Sequence, residues 1–75
     1  MTKYRNLSGD SNVAYFVLGI ESITIQFNDG GTYLYTSQSA GTANLATMIS
    51  LASAGRGLNS FINRVVKKRY SRRVR

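Results

Sequence analysis

Ile23-Thr24-Ile25-Gln26-Phe27-Asn28-Asp29-Gly30-Gly31-Thr32-Tyr33-Leu34-Tyr35 decides how this chain folds. Ile23, Ile25 and Phe27 alternate with Thr24 and Gln26, the period-two pattern of a strand with one buried face. Asn28-Asp29-Gly30-Gly31 is a hairpin signal, because Gly takes the positive φ that tight turns need. Thr32–Thr36 is the returning strand. Loop length fixes where the tyrosines point. A two-residue loop, Asp29-Gly30, pairs Ile25 with Leu34 and sends Tyr33 and Tyr35 to the face opposite Phe27. A three-residue loop shifts the parity by one. Ile23, Ile25, Phe27, Tyr33 and Tyr35 then share one face, with Ser22, Thr24, Gln26, Thr32 and Thr36 on the other. The second register splits apolar from polar more cleanly and leaves only Leu34 out of place. Asn-Asp-Gly also suits a type I turn closed by a left-handed Gly.

On the N-terminal side, Val13–Leu18 is rich in β-branched and aromatic residues and reads as a strand. Gly19–Ser22 is a turn. Residues 1–12 form a polar lead-in, with Ser8–Asn12 as a loose turn. On the C-terminal side, Ser37–Gly41 is a polar connection. Leu45, Met48, Ile49 and Ala52 fall at helical spacing, which predicts a helix over about residues 42–54. Gly55 and Gly57 end it. Asn59 or Ser60 would cap a second helix with Phe61, Ile62, Val65, Val66 and Tyr70 as its apolar face. Arg64, Lys67 and Lys68 lie on its other side. Past Tyr70, residues 71–75 form a basic C-terminal tail with nothing to pack, expected to fray. The fold class is α+β: a three-stranded antiparallel β-meander followed by two helices packed on one face. Ile23, Ile25, Phe27, Leu45, Met48, Ile49, Phe61, Ile62 and Val65 are the expected core.

Seventy-five residues without Cys, Pro, Trp or His bound the chemistry. Thiolate and imidazole metal sites, disulfides, cysteine nucleophiles and Ser-His-Asp triads are excluded. There is no P-loop and no GxGxxG. The acids Asp10, Glu21 and Asp29 fall in predicted turns, not as a pair converging on one cleft. No enzyme, metal or cofactor is expected. A single domain over residues 1–70 accounts for the chain, and one this small is marginal without a partner.

The formal charge is +7, from 10 Lys/Arg against 3 Asp/Glu. Residues 1–55 carry Lys3 and Arg5 against Asp10, Glu21 and Asp29, a net of −1. Residues 56–75 carry Arg56, Arg64, Lys67, Lys68, Arg69, Arg72, Arg73 and Arg75 and no acid, a net of +8. Such asymmetry points to an anionic partner; a plain solubilising tail is the alternative. The longest apolar run, Val13–Ile20, is far short of the ~20 residues that span a bilayer. No membrane insertion is expected, and the chain reads as cytoplasmic.

The stretch from Leu18 to about Ile62 resembles the KTSC domain. That short module is found at the C-terminus of some lysyl-tRNA synthetases and as a free-standing small bacterial protein. The matching residues are Gly19, then Ile23, Ile25, Phe27, Gly30, Tyr33 and Tyr35, and later Ala52, Ser53, Gly55, Arg56, Asn59 and Ile62. The chain departs from the pattern at Ser37-Gln38, where the family has Val-Pro. It departs again at Gly57, where an aromatic follows Gly-Arg, and at Val66, where the family has Tyr. The resemblance implies an RNA-binding role.

The residues point the same way. Arg56, Arg64, Lys67, Lys68, Arg69, Arg72 and Arg73 are candidate phosphate contacts, a role that needs charge more than geometry. Tyr33 and Tyr35 are candidate base-stacking platforms in the two-residue register and core residues in the three-residue one. The stretch Ser53-Ala54-Gly55-Arg56-Gly57-Leu58-Asn59 is either an anion nest, with Arg56 adding charge, or a helix–helix turn; its GxG spacing does not match the GxxG clamp of KH modules. The expected function is therefore a small non-catalytic nucleic-acid-binding module, RNA more than DNA. The alternative is a protein-interaction module acting through edge-strand pairing or as a homodimer, with the basic tail serving solubility.

Overall fold

The hairpin turn is Asn28-Asp29-Gly30 in the computed structural model, which describes all of residues 1–75. Phe27 N–H donates to Gly31 O at 2.9 Å and Gly30 N–H to Phe27 O at 2.9 Å, closing a three-residue loop. Gly30 takes the left-handed φ of 92° that such a loop requires. The Asp29 carboxylate accepts from Gly31 N–H at 2.8 Å and ties the turn. Ile25 consequently faces Tyr33, and Ile23 faces Tyr35. Both tyrosines lie on the Ile23/Ile25 face, as the parity of the alternation predicts.

The sheet has five strands, not three, in the order β1-β2-β3-β4-β5, all antiparallel. They are β1 Thr2–Lys3, β2 Val13–Gly19, β3 Ser22–Phe27, β4 Thr32–Thr36 and β5 Arg72–Arg73. The two unexpected strands are the edges, and each has only two residues. In β2 the register slips between Val13 and Tyr15, so Ala14 is an extra residue opposite β3. This bulge resets the alternation. Val13 and Phe16, of opposite parity, can therefore both be buried on the inner face.

Four helical pieces cross that face. Ser37–Gly41, expected as a plain connection, contains one helical turn, α1 Ser37–Ala40. Thr36 caps it in a reciprocal box with Ser39: Ser39 N–H donates to Thr36 Oγ1 at 3.1 Å and Thr36 N–H to Ser39 Oγ at 2.9 Å. Helix α2, Thr42–Ala54, buries Leu45, Met48 and Ala52 against β3 and β4. Gly55 ends it at φ 81°, donating to Leu51 O at 2.9 Å.

The second long helix does not form. Leu58–Phe61 makes a single turn, α3, preceded by left-handed Gly57, and neither Asn59 nor Ser60 caps it. It widens at once into a π-helical turn, Ile62–Val66, closed by Lys67 N–H on Ile62 O at 2.6 Å. β-branched Ile62, Val65 and Val66 have modest helix propensity, and Lys67-Lys68-Arg69 brings like charges with no acid to offset them. The wide turn buries Ile62 and Val66 and leaves Val65 40% exposed, so Val65 is not core.

Nor does the tail fray. Ser71 N–H donates to Leu34 O at 2.6 Å and Val74 N–H to Thr32 O at 2.7 Å, while Thr32 N–H donates to Arg75 O at 3.0 Å. These bonds satisfy the edge of β4, which would otherwise present unpaired backbone groups.

The lead-in is equally structural. Tyr4 is 2% exposed, and its hydroxyl accepts from Leu58 N–H at 3.3 Å. Arg5 reaches the α2 C-terminus, donating to Ser53 O. The core is Tyr4, Val13, Phe16, Ile23, Ile25, Tyr35, Ala40, Leu45, Met48, Ala52, Leu58, Ile62 and Val66. Phe27, Ile49 and Phe61, expected inside, pack against it only partly buried. No helix is long and apolar enough to cross a membrane.

Candidate nucleic-acid interface

Three elements converge beside the hairpin: the inner end of β4, the π-helical turn and the run into β5. Tyr33 is the hub. Its ring meets Phe27 edge-on at 5.8 Å and 66°, and Tyr70 at 4.6 Å and 43°. The guanidinium of Arg73 lies 5.5 Å from its ring centre. Such aromatic and cation contacts hold one another in place while leaving a ring half-exposed. Around this wall opens a cavity of about 300 Å³, with Lys67 and Lys68 on its rim and Ile62 and Asn63 beside them.

Lys67 is held in an unusual conformation, φ 46° and ψ −116°, where the π turn reverses into the run toward β5. A β-carbon is disfavoured there, and non-glycine residues so placed cost about 1–3 kcal/mol. The turn thus places two consecutive ammonium groups on the mouth of an aromatic cavity.

Tyr35 is not available to a partner. It is 2% exposed, stands edge-on to Tyr70 at 6.1 Å and donates a long hydrogen bond of 3.4 Å to Lys67 O. Burial, with smaller contributions from Tyr70 and Tyr33, pushes its hydroxyl up to about 12. Both tyrosines singled out in the sequence line the cavity, but only Tyr33 is partly exposed, and it is so without the two-residue register. Tyr70 joins it.

The remaining basic residues divide. Arg73 is on the inner face through its pairing with Tyr33, whereas Arg72 pairs with Leu34 and belongs to the outer face. That face also carries Tyr15, Val17, Thr24 and Gln26. Arg64 and Arg69 are exposed on and after the π turn. Arg56 is exposed in the α2–α3 turn and does not line the cavity. Gly55 and Gly57 in that turn serve conformation: both are left-handed, and Gly55 packs under Arg5. The turn connects the two helices, with Gly55 N–H donating to Leu51 O and Leu58 N–H to the Tyr4 hydroxyl.

Comparison of the chain with protein-family models, curated proteins and solved structures finds no match. Sequence reasoning singled out Lys67, Lys68, Arg73 and Tyr33, but it placed the lysines on a helix and Arg73 in a loose tail. The sequence puts Phe27 in the expected core and Tyr70 on the apolar face of the expected second helix. The only signal that could have moved Tyr70 is that it lies beyond the β-branched run and next to a cluster of cations.

Proposed function

We propose that this chain is a small non-catalytic nucleic-acid-binding module that favours RNA over DNA, led by charge and with weak sequence preference. The observation that carries the reading is the convergence of Lys67, Lys68 and Arg73 on the half-exposed ring of Tyr33. Cations supply affinity for phosphates, and aromatic faces supply sequence-tolerant contact with bases. Arg64 and Arg69 extend the positive surface, while Arg72 on the outer face and Arg56 add more remote charges. The resemblance to the KTSC domain supports RNA as the partner, and the lack of Cys fits a reducing, cytoplasmic setting.

A salt titration of binding to RNA, single-stranded DNA and anionic vesicles tests this reading. Four to six phosphate contacts imply a log–log slope of about −3 to −5 on single strands. Binding to vesicles alone, or to none of the three at low salt, would refute it.

One observation favours a second reading. At the β2–β3 tip, Ile20 is 96% exposed, with Leu18 and Val17 also open. β1 covers β2 only at Tyr15 and Phe16, so the Val17–Gly19 edge is unpaired by it. That edge suits strand pairing with a second copy or a protein partner. A concentration-dependent mass that Ile20→Lys abolishes would support it.

A further inference from the structure

A second cavity, of about 330 Å³, lies on the other side of Phe27. It is lined by Asn12, Asn28, Asn59 and Asn63, with Phe27 and Asp29. Phe27 and Asn63 line both cavities, so the two adjoin as a groove of two lobes that share the Phe27 ring as a wall. Four carboxamides meet there from four separate places: before β2, in the hairpin turn, in α3 and in the π turn. Asn28 donates one bond to Ser11 O at 3.3 Å, while the side chains of Asn12, Asn59 and Asn63 make none within the chain.

The groove is polarised. One end offers neutral donors and acceptors in excess, plus the Asp29 carboxylate. The other offers Lys67 and Lys68. Between them runs an aromatic wall of Phe27, Tyr33 and Tyr70. A base edge presents alternating donors and acceptors, which carboxamides complement because each carries both. A phosphate is repelled by Asp29 and attracted by the lysines. Stacking needs only an aromatic face between them. Each cavity is at the lower limit of small-molecule sites, roughly 300 Å³, room for a single nucleotide and not for a duplex.

We propose that this groove holds one unstacked base of a single-stranded RNA, its edge toward Asn59 and Asn63 and its flanking phosphates toward Lys67 and Lys68. This deepens the nucleic-acid reading and rests on it. It adds a base-dependent component to what charge alone would give.

The test compares a ten-nucleotide RNA with an abasic oligomer of the same length and phosphate number. The chain has no Trp, so its intrinsic emission is that of its tyrosines, and stacking on Tyr33 or Tyr70 quenches it. The expected result is about tenfold tighter binding of the base-bearing strand, with quenching seen for it alone. The double variant Asn59→Ala/Asn63→Ala should lower this preference severalfold while leaving the quenching, because the aromatic wall is untouched. Asn63 is exposed, so the single variant Asn63→Ala provides a folded protein with an intermediate loss, checked by its thermal melt. Equal affinity for both oligomers without quenching would overturn the groove and leave the charge-led reading standing. A base preference undiminished in the double variant would overturn it too. Binding of neither oligomer would remove the underlying reading and the groove together.

Discussion

Arg73 stacks its guanidinium 5.5 Å from the ring centre of Tyr33, its cross-strand partner in the β4–β5 ladder. The pair ties a residue of the basic tail to the aromatic wall of the cavity. It also places a two-arginine edge strand where an unprotected β4 would invite aggregation. Arg73→Ala should cost about 0.5–1 kcal/mol, the worth of an exposed cation–π contact. Ending the chain after Tyr70 should cost more, because the backbone bonds to Thr32 and Leu34 go with it, each worth about 0.5–1.5 kcal/mol. Urea unfolding of the two variants measures both; equal stability of the truncated and full chains would contradict the β5 pairing.

Lys67 sets a trade between conformation and charge. At φ 46° a glycine is at ease and a lysine is not. Lys67→Gly should therefore stabilise the fold by about 1 kcal/mol while weakening RNA binding. Lys67→Ala/Lys68→Ala should lower the salt slope by about 1.4 units, from two lost phosphate contacts. A Lys67→Gly variant that is less stable than the parent would show that the π turn needs more than its backbone geometry.

The buried Tyr35 hydroxyl predicts an alkaline limb. Its folded value is raised to about 12 from 10.0, so the folded state holds the proton more tightly than the unfolded chain. Its contribution is fully present below pH 10 and is lost as pH rises toward 12, because there the unfolded tyrosine ionises first. Thermal melts between pH 9 and 12 should show the parent losing stability faster than Tyr35→Phe, which has no proton to lose. Near neutrality the two should differ little, since the bond given up is a long one at 3.4 Å. Parallel alkaline limbs would place the titration elsewhere.

Gly55 joins the N-terminal segment to the end of α2. A β-carbon added there would lie 2.8 Å from Arg5 Cβ, at a φ of 81° that side chains avoid. Leu7 N–H also donates to Gly55 O at 2.7 Å, so the segment has little freedom to move aside. Gly55→Ala should cost roughly 1–3 kcal/mol, a large part of the ~5 kcal/mol available to a domain this size. The loss should appear first as faster amide exchange around Tyr4 and Leu7. A melt unchanged from the parent would contradict the close approach.

The central hairpin and α2 were legible in the chain because their determinants are local. Alternation at Ile23, Ile25 and Phe27, together with the Asn28-Asp29-Gly30 loop, sets the parity that puts Tyr33 and Tyr35 inside. The spacing of Leu45, Met48 and Ala52 sets the buried face of α2. The concentration of positive charge after Gly55 is likewise a property of the sequence alone.

Only the tertiary structure decided the edges and the groove. β1 and β5 are two-residue strands held by backbone hydrogen bonds, which leave no mark on side-chain periodicity; β5 forms because β4 has an edge to satisfy. Tyr4 is core because the lead-in folds back over α3, a long-range contact that its polar neighbours hide. The π turn sets Lys67 and Lys68 over the cavity instead of along a helix, since burying Ile62 and Val66 outweighs continuing a run of like charges. Asn12, Asn28, Asn59 and Asn63 are scattered over fifty residues, and each alone is an ordinary turn or surface residue. They become one surface because the β3–β4 turn and the π turn close on the same side of Phe27, and closure of that kind is a property of packing in three dimensions.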